Sequence, residues 1–269
     1  MPEGRAAASA SSAPRLVLVD LDGTLLGDDH AVSARNAAAL SRAAAAGARI
    51  VIATGRPVRL LGPVRDLAEK PVVLSCNGAI VFDLATDSVL DSHPLDPIVF
   101  QRAVESVRAD GLQFVVGVEG MPDRGVRGEI EFRPGRDLPR GTLPEISEGG
   151  VVKGLIVVDP EEFDRVWDAF SRGFPGELEV TRSGIVGLIE ISASGVSKGG
   201  VITDLARGWG IEPSDAIAFG DMPNDLEMFR WAGRSVAMGN AEPEVKLAAT
   251  EVGADHNDDA VAQVLERWF

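Results

Sequence analysis

The sequence predicts an α/β protein: a core built on a doubly wound parallel sheet, with an α+β domain inserted into it. Three observations carry this. The near-continuous apolar runs "RLVLVDLD", "ARIVIAT" and "PVVLSCNGAI" read as strands buried on both faces, as in a parallel sheet. Helical patterns separate them, so consecutive strands are joined by right-handed crossovers. The alternation then stops near Phe82, gives way to strand-rich sequence as far as Ile191, and resumes at Val196. The expected division is a core over 15–81 and 192–269, an inserted domain over 82–191, and a disordered tail over 1–14.

Each element has a local reason. After the first strand, "SARNAAALSRAAAAG" reads as a helix with Ser33 as N-cap and Gly47 as its stop. "GRPVRLLGPVRDLAE" is expected to begin a second helix, with Pro57 in the first turn where a missing N–H costs little. In the insert, "LQFVVGV", "VVKGLIVVD", "LEVTR" and "GIVGLIEIS" are strand candidates, and "DPIVFQRAVESVRAD" and "PEEFDRVWDAFSRG" are helical candidates. The segment from Gly120 to Gly150 is rich in Gly, Pro and charge and is expected to include mobile loops; Arg124, Arg127 and Arg133 within it are candidates for substrate contact. The helix "SKGGVITDLARGWG" and strand "DAIAFGD" then resume the core pattern. They are followed by helix "NDLEMFRWAG", strand "SVAMG", and helices at "AEPEVKLAAT" and "DDAVAQVLERWF".

Composition narrows the function. At 269 residues the chain fits one large domain or two modest ones. Its formal net charge of -15 argues against a nucleic-acid or anionic-membrane surface, because phosphate backbones bind cationic footprints. It leaves room for one small anion held locally. The single cysteine, Cys76, excludes an intrachain disulfide and suits a reducing, cytoplasmic setting. No apolar stretch has the length to span a bilayer, and the Ala- and Ser-rich N-terminus lacks a strongly apolar signal region. A monomer or small homo-oligomer is expected.

The chemistry is expected at the strand ends, where ligands bind in open parallel sheets. Asp20 with Asp22, Thr54, Asn77, and Asp221 with Asp225 all stand there, and Lys198 opens the helix after the insert. Carboxylates, a hydroxyl and an ammonium on one rim suit a hard cation beside an anion, with Mg²⁺ the natural candidate. The Thr54 hydroxyl, the Lys198 ammonium and the N-terminus of the helix after Arg56 suit phosphate. A unit charge pair at ~4 Å and an effective dielectric of ~20 is worth about 4 kcal/mol, so a phosphate dianion beside one ionised Asp needs cations to offset the repulsion. Asp20 then serves as a carboxylate nucleophile and Asp22 as the acid and base of the two half-reactions. Cys76 reads as a small buried apolar residue.

These residues resemble the four motifs of the haloacid dehalogenase (HAD) superfamily of phosphohydrolases, in its Cof-like branch with a large inserted cap. "DLDGTLL" is similar to the first motif, "IATGR" to the second, Lys198 in "GVSKGG" to the third and "GDMPND" to the fourth. "CNGA", "AMGNA" and "HNDDAVAQVLE" are similar to that branch as well, and the likeness runs over about residues 15–269. The resemblance implies a Rossmann-like core and a Mg²⁺-dependent phosphatase acting through an aspartyl-phosphate on a small phosphorylated metabolite, a sugar phosphate first. It implies catalytic Asp20, Asp22, Thr54 and Lys198. It gives the phosphoryl contact to Thr54; from the residues themselves, substrate contacts are expected at Thr54, Gly55, Lys198, Asn77 and Asn224, with turn shaping the alternative reading of the two asparagines. The metal site would comprise Asp20, Asp22 through its main-chain carbonyl, Asp221 and Asp225. A phosphomutase with the same intermediate, and a non-enzymatic receiver-type or phospho-ligand-binding module, are the alternative readings.

Overall fold

The computed structural model describes residues 12–133, 136–183 and 185–269. Most of the expected N-terminal tail lies outside the described residues. Of its last three, Pro14 is buried and the Ser12 carbonyl accepts from Arg234 at 3.1 Å. The strands in chain order are β1 Leu16–Asp20, β2 Arg49–Ala53, β3 Val72–Ser75, β4 Ile80–Asp83, β5 Ser88–Ser92, β6 Val115–Glu119, β7 Val126–Gly128, β8 Lys153–Val157, β9 Leu178–Arg182, β10 Leu188–Ala193, β11 Ala216–Gly220, β12 Arg234–Ala237 and β13 Glu251–Val252. The α-helices are α1 Ala34–Ala45, α2 Gly62–Arg65, α3 Pro97–Ala109, α4 Leu143–Ser147, α5 Phe163–Gly173, α6 Lys198–Gly208, α7 Leu226–Trp231, α8 Pro243–Ala248 and α9 Ala260–Leu265. The chain divides into two compact units. Unit 1 holds the described residues up to Ala53, Pro63–Val73 and Lys198–Phe269; unit 2 holds Thr54–Gly62 and Leu74–Ser197.

Unit 1 carries five parallel strands in the order β13-β12-β11-β1-β2. Every residue of β1 and β11 is buried, which is why their sequences run apolar without alternation. Helix α1 starts where Ser33 caps it, its hydroxyl oxygen accepting from the Asn36 amide at 3.0 Å. The helix ends before Gly47, whose φ of +96° is open to glycine without strain. Its buried Asn36 accepts from the Ala262 amide at 3.0 Å, so α1 satisfies a buried N–H in the first turn of α9 that has no partner within the helix.

Two expectations near the unit boundary fail. The segment after Arg56 forms one 3-10 turn, Val58–Leu60, and the four-residue α2, instead of a long helix. Pro63 lacks the N–H that would continue the first turn, so the chain breaks at Leu61 and a new short helix starts at Gly62. The helix N-terminus expected to face phosphate is therefore absent from that segment. The third strand stops at Ser75, because Cys76 and Asn77 take φ of +52° and +58°; β4 begins afresh at Ile80.

Unit 2 contains the antiparallel pair β4–β5 and a five-stranded antiparallel sheet in the order β7-β6-β8-β10-β9. One face of that sheet is apolar: Val116, Val118, Ile156, Ile189 and Ile191 pack on Phe100, Val104 and Val107 of α3 and on Val166 and Phe170 of α5. On the other face Phe132, Leu155 and Leu188 form a smaller cluster. Phe132 fits there because Gly117 and Gly128 have no Cβ; one would lie 2.3 and 2.4 Å from its ring. The Gly120–Gly150 segment, expected to include mobile loops, contains β7 and α4. Arg140 gathers the carbonyls of Glu129, Ile130 and Phe132, and Arg127 those of Glu148 and Gly150. No helix among the described residues is long and apolar enough to cross a membrane.

Gly154 on β8 faces the core, where an added Cβ would lie 2.4 Å from the buried Phe100 ring. Gly154→Ala is expected to cost about 1–3 kcal/mol through overpacking. A urea midpoint unchanged from the parent protein would show that α3 yields at no cost.

Candidate active site

Asp20 is the last residue of β1, and the buried strand delivers its carboxylate to the sheet's carboxyl edge. The chain then turns at once, with the Leu25 and Leu26 amides both bonded to the Leu21 carbonyl. Asp22 in this turn is exposed, although Asp20, two residues before it, is 5% exposed. Gly23 has φ of +77°, and a Cβ there would lie 2.4 Å from Asp221 Oδ2, so the turn and Asp221 fit only around glycine. Buried Thr24 donates its hydroxyl to Asp221 Oδ1 at 3.1 Å.

Lys198, the first residue of α6, is fully buried. Its Nζ donates to Asp20 Oδ1 at 2.5 Å and to Asp225 Oδ1 at 2.6 Å. Asp225 also accepts, through Oδ2, from the Asp221 and Met222 amides at 3.0 and 3.1 Å. Both its oxygens thus hold protein groups, and it fastens the loop after β11 to Lys198. Two glycines make room for this: a Cβ on Gly220 would lie 2.5 Å from the Asp225 carboxylate, and one on Gly199 would lie 2.6 Å from the Glu227 backbone.

The electrostatics follow from burial. Loss of water pushes Asp20 well above the ordinary carboxylate range, Lys198 opposes that shift, and Asp225 and Asp221 add to it. Asp221 is pushed up to about 6, by burial first and the Asp225 charge second. Burial pulls Lys198 down, but the carboxylates of Asp20 and Asp225 more than offset it, and the ammonium stays protonated. Asp20, Asp221 and Asp225 each present a carboxylate oxygen, all within 4.8 Å of one another. Lys198 brings one positive charge to three acids, so their joint ionisation at neutral pH calls for further positive charge. Oxygen-only donors in this state of charge fit a hard divalent cation.

Thr54 and Gly55 lie in unit 2 and are built separately. The Thr54 amide donates to the Leu74 carbonyl at 2.8 Å, its carbonyl accepts from the Asn77 amide at 2.8 Å, and its Oγ1 accepts from the Arg56 amide at 3.0 Å. Asn77 is buried, and its side-chain amide donates to Glu190 at 3.1 Å. Asn224 sits in the 3-10 turn between Asp221 and Asp225. The structure therefore gathers Asp20, Lys198, Asp221 and Asp225 in one unit, and Thr54, Gly55 and Asn77 in the other. Sequence reasoning passed over Thr24, and in unit 2 Lys153 and Glu190; a charged residue inside an apolar strand, as in "KGLIV" and "LIEIS", was the available signal. Among the arginine candidates, Arg127 is occupied with backbone carbonyls, and Arg133 stacks on the Phe132 ring at 5.3 Å.

Known proteins are similar to this chain along nearly its whole length. The family model described as haloacid dehalogenase-like hydrolase matches residues 17–265. The putative phosphatase YxeH of Bacillus subtilis is 30% identical over 93% of this chain and 97% of its own. The 5-amino-6-(5-phospho-D-ribitylamino)uracil phosphatase YitU of the same organism is 30% identical over 95% and 98%. A solved haloacid dehalogenase-like hydrolase from Bacteroides thetaiotaomicron superposes with a TM-score of 0.78 at 27% identity, covering 95% of this chain and all of the other. The parallel sheet with its buried acids, the separate antiparallel sheet and the near full-length matches lead to one assignment: the chain belongs to the haloacid dehalogenase-like hydrolases, among that family's phosphoric monoester hydrolases.

Proposed function

We propose that the protein is a Mg²⁺-dependent phosphatase of small phosphorylated metabolites that works through a phosphorylated Asp20. The observation that supports this best is the grip of Lys198 on Asp20: a buried carboxyl at a strand end, hydrogen-bonded to an ammonium, with an exposed acid two residues away. Asp20 attacks phosphorus and the ester oxygen departs, taking a proton from Asp22. Asp22, now a carboxylate, removes a proton from the water that attacks the aspartyl-phosphate, and phosphate leaves with Asp20 restored. Exposure suits Asp22 to this exchange, because it has to reach both the leaving group and water. Lys198 orients the attacking oxygen and offsets charge on the transferring group.

Asp20 and Asp221 are the proposed side-chain ligands of the metal. The Asp22 main-chain carbonyl joins them, and Asp225 supports the site through Lys198 and the loop amides. Bound Mg²⁺ supplies charge neutralisation for the phosphoryl oxygens. Thr54 and Gly55 are proposed to bind the phosphoryl group. With Oγ1 of Thr54 already accepting from Arg56, its hydroxyl proton is the part left to donate to an anion. The substrate class proposed first is a sugar or polyol phosphate, supported by the phosphoribityl group in the name of the relative YitU. A domain inserted over about 82–191 is proposed to select the leaving group, and a reducing cytoplasm suits the buried Cys76 thiol.

Two measurements test this. Asp20→Asn removes the nucleophile and keeps the shape, so phosphate release from an aryl phosphate with Mg²⁺ should fall at least about 10³-fold while the melting temperature holds or rises. Turnover near the parent rate in a clean preparation would remove Asp20 from the role.

The second concerns pH. A carboxyl whose folded pKa lies above its unfolded value binds its proton more tightly in the native state. Its stabilising contribution is full below the ordinary value of 3.8 and is lost as pH rises through about 6. Metal-free protein should therefore lose roughly 5 °C or more of melting temperature between pH 4.5 and 7, beyond the change shown by Asp221→Asn. Mg²⁺ should restore more at pH 7 than at pH 5. Equal Mg²⁺ stabilisation at both pH values would separate the metal from this acid.

A further inference from the structure

The chemistry above leaves an ion pair on the antiparallel sheet of unit 2 without a task. Lys153 on β8 and Glu190 on β10 form an ion pair at 2.8 Å, with side chains 3% and 13% exposed. Burying such a pair costs desolvation, and an apolar pair of similar volume is often as stable or more so. Stability alone therefore gives a weak reason for these residues.

Their other bonds give a stronger one. Lys153 Nζ also donates to the Gly55 carbonyl at 2.7 Å, immediately beside Thr54. Glu190 Oε2 accepts from Asn77 Nδ2 at 3.1 Å, and the Asn77 amide in turn bonds the Thr54 carbonyl. Asn77 stands at a positive φ that this side-chain bond helps to hold. Gly55 is enclosed: a Cβ there would lie 3.4 Å from Asn77 Oδ1 and 3.9 Å from both Glu190 Oε2 and Lys153 Nζ. The same segment is tied again at Arg59, whose guanidinium grips Glu119 with two bonds of 3.1 and 2.7 Å. Glu119 on β6 stands directly opposite Lys153 in the sheet register, and Glu190 lies diagonally across on β10. One sheet face thus presents Glu119, Lys153 and Glu190 to both ends of residues 54–59.

We propose that Lys153 and Glu190 are positioning residues that fix the Thr54–Gly55 turn for phosphate binding. The inference rests on Thr54 as a phosphate ligand, the role given to it above. The pair acts through the Gly55 carbonyl and the Asn77 side chain, which set where the Thr54 hydroxyl points. It touches neither the metal ligands nor Asp20 in this scheme, so its loss should weaken phosphate binding without changing the Mg²⁺ requirement.

The full-length protein carrying Lys153→Met together with Glu190→Leu replaces the ion pair by apolar groups of similar size. Three readouts apply: the dissociation constant of inorganic phosphate by calorimetry in Mg²⁺, the KM and kcat for p-nitrophenyl phosphate, and the Mg²⁺ concentration for half-activation. Phosphate binding and KM should weaken at least about tenfold, kcat should fall less, and Mg²⁺ half-activation should stay within about twofold. The melting temperature should fall by no more than about 5 °C, because removing both charges together offsets part of the bonds lost to the Gly55 carbonyl and the Asn77 amide. Lys153→Gln, which removes one charge and shortens the reach to Gly55, makes the same comparison if the double variant does not fold. Thr54→Val separates the two claims. If it leaves phosphate affinity unchanged, Thr54 is not a ligand and the role given to it above fails. If it weakens phosphate, adding the Lys153 and Glu190 changes should bring little further loss, because both act on one hydroxyl. Full additivity, or phosphate affinity within twofold of the parent in the Lys153 and Glu190 variant, overturns the positioning role.

Discussion

Three carboxylates held out of water within 4.8 Å of one another are the constraint that orders unit 1. Left to themselves they would take up protons or be driven apart, since the cost of burying charge is larger than one surface contact repays. Lys198 answers part of it by bonding Asp20 and Asp225 at once. Two backbone amides answer another part at Asp225, and the Thr24 hydroxyl does so at Asp221. The backbone must then come very close, which explains glycine at 23, 199 and 220: a Cβ at any of them would stand within 2.6 Å of another residue's atoms. Acids, lysine and glycines form one solution to one electrostatic problem. The parallel strands β1 and β11, buried from end to end, are what bring the acids together.

Unit 2 handles buried charge differently. In its antiparallel sheet, Glu119, Lys153 and Glu190 are matched by partners of opposite sign or by backbone carbonyls, at distances between 2.7 and 3.1 Å. Charge-assisted bonds of this kind fix direction as well as distance, and the forked Arg59–Glu119 contact fixes a plane. Cys76, beside this network, keeps its thiol: burial pushes its pKa up to about 11, with Lys153 opposing and Glu119 and Glu190 reinforcing the shift. Where unit 1 gathers like charges that call for a cation, unit 2 balances its charges internally. The first arrangement is suited to binding and reaction, the second to holding a backbone still.

How much of this was legible in the sequence depended on whether the cause was local. The run "LVLVD" showed both a buried strand and an acid at its end, because a strand buried on both faces needs no alternation to be recognised. Ser33 and Gly47 marked α1 correctly because capping depends on neighbours a few residues away. Lys198 was readable as part of a set of motifs, although its two partners lie 178 and 27 residues away. The segment after Arg56 carries a helix-start signal at Pro57, yet Gly62 and Pro63 break it into a 3-10 turn and the four-residue α2. Asn77 held at positive φ left no glycine as a signature. Lys153 and Glu190 were passed over for a more general reason. Period-two patterning tells which residues share a face, but whether that face meets water depends on Gly55 and Asn77, which are distant in sequence.

The chain's net charge of -15 bears on the site in the opposite sense from its local chemistry. An anionic substrate approaching an acidic protein is repelled at long range, and the site itself adds three acids to that field. Screening limits the penalty, since at physiological ionic strength the Debye length is only about 8 Å and distant surface carboxylates count for little. In the proposed reaction, what remains is decided within one shell of the phosphorus, where Lys198 and the proposed cation are set against Asp20, Asp221 and Asp225. Buried charges there are hardly screened by salt, so each cation counts for more than any on the exterior. On the proposed function, a protein of this composition binds an anion by concentrating positive charge at one point, and the three acids are what hold that charge in place.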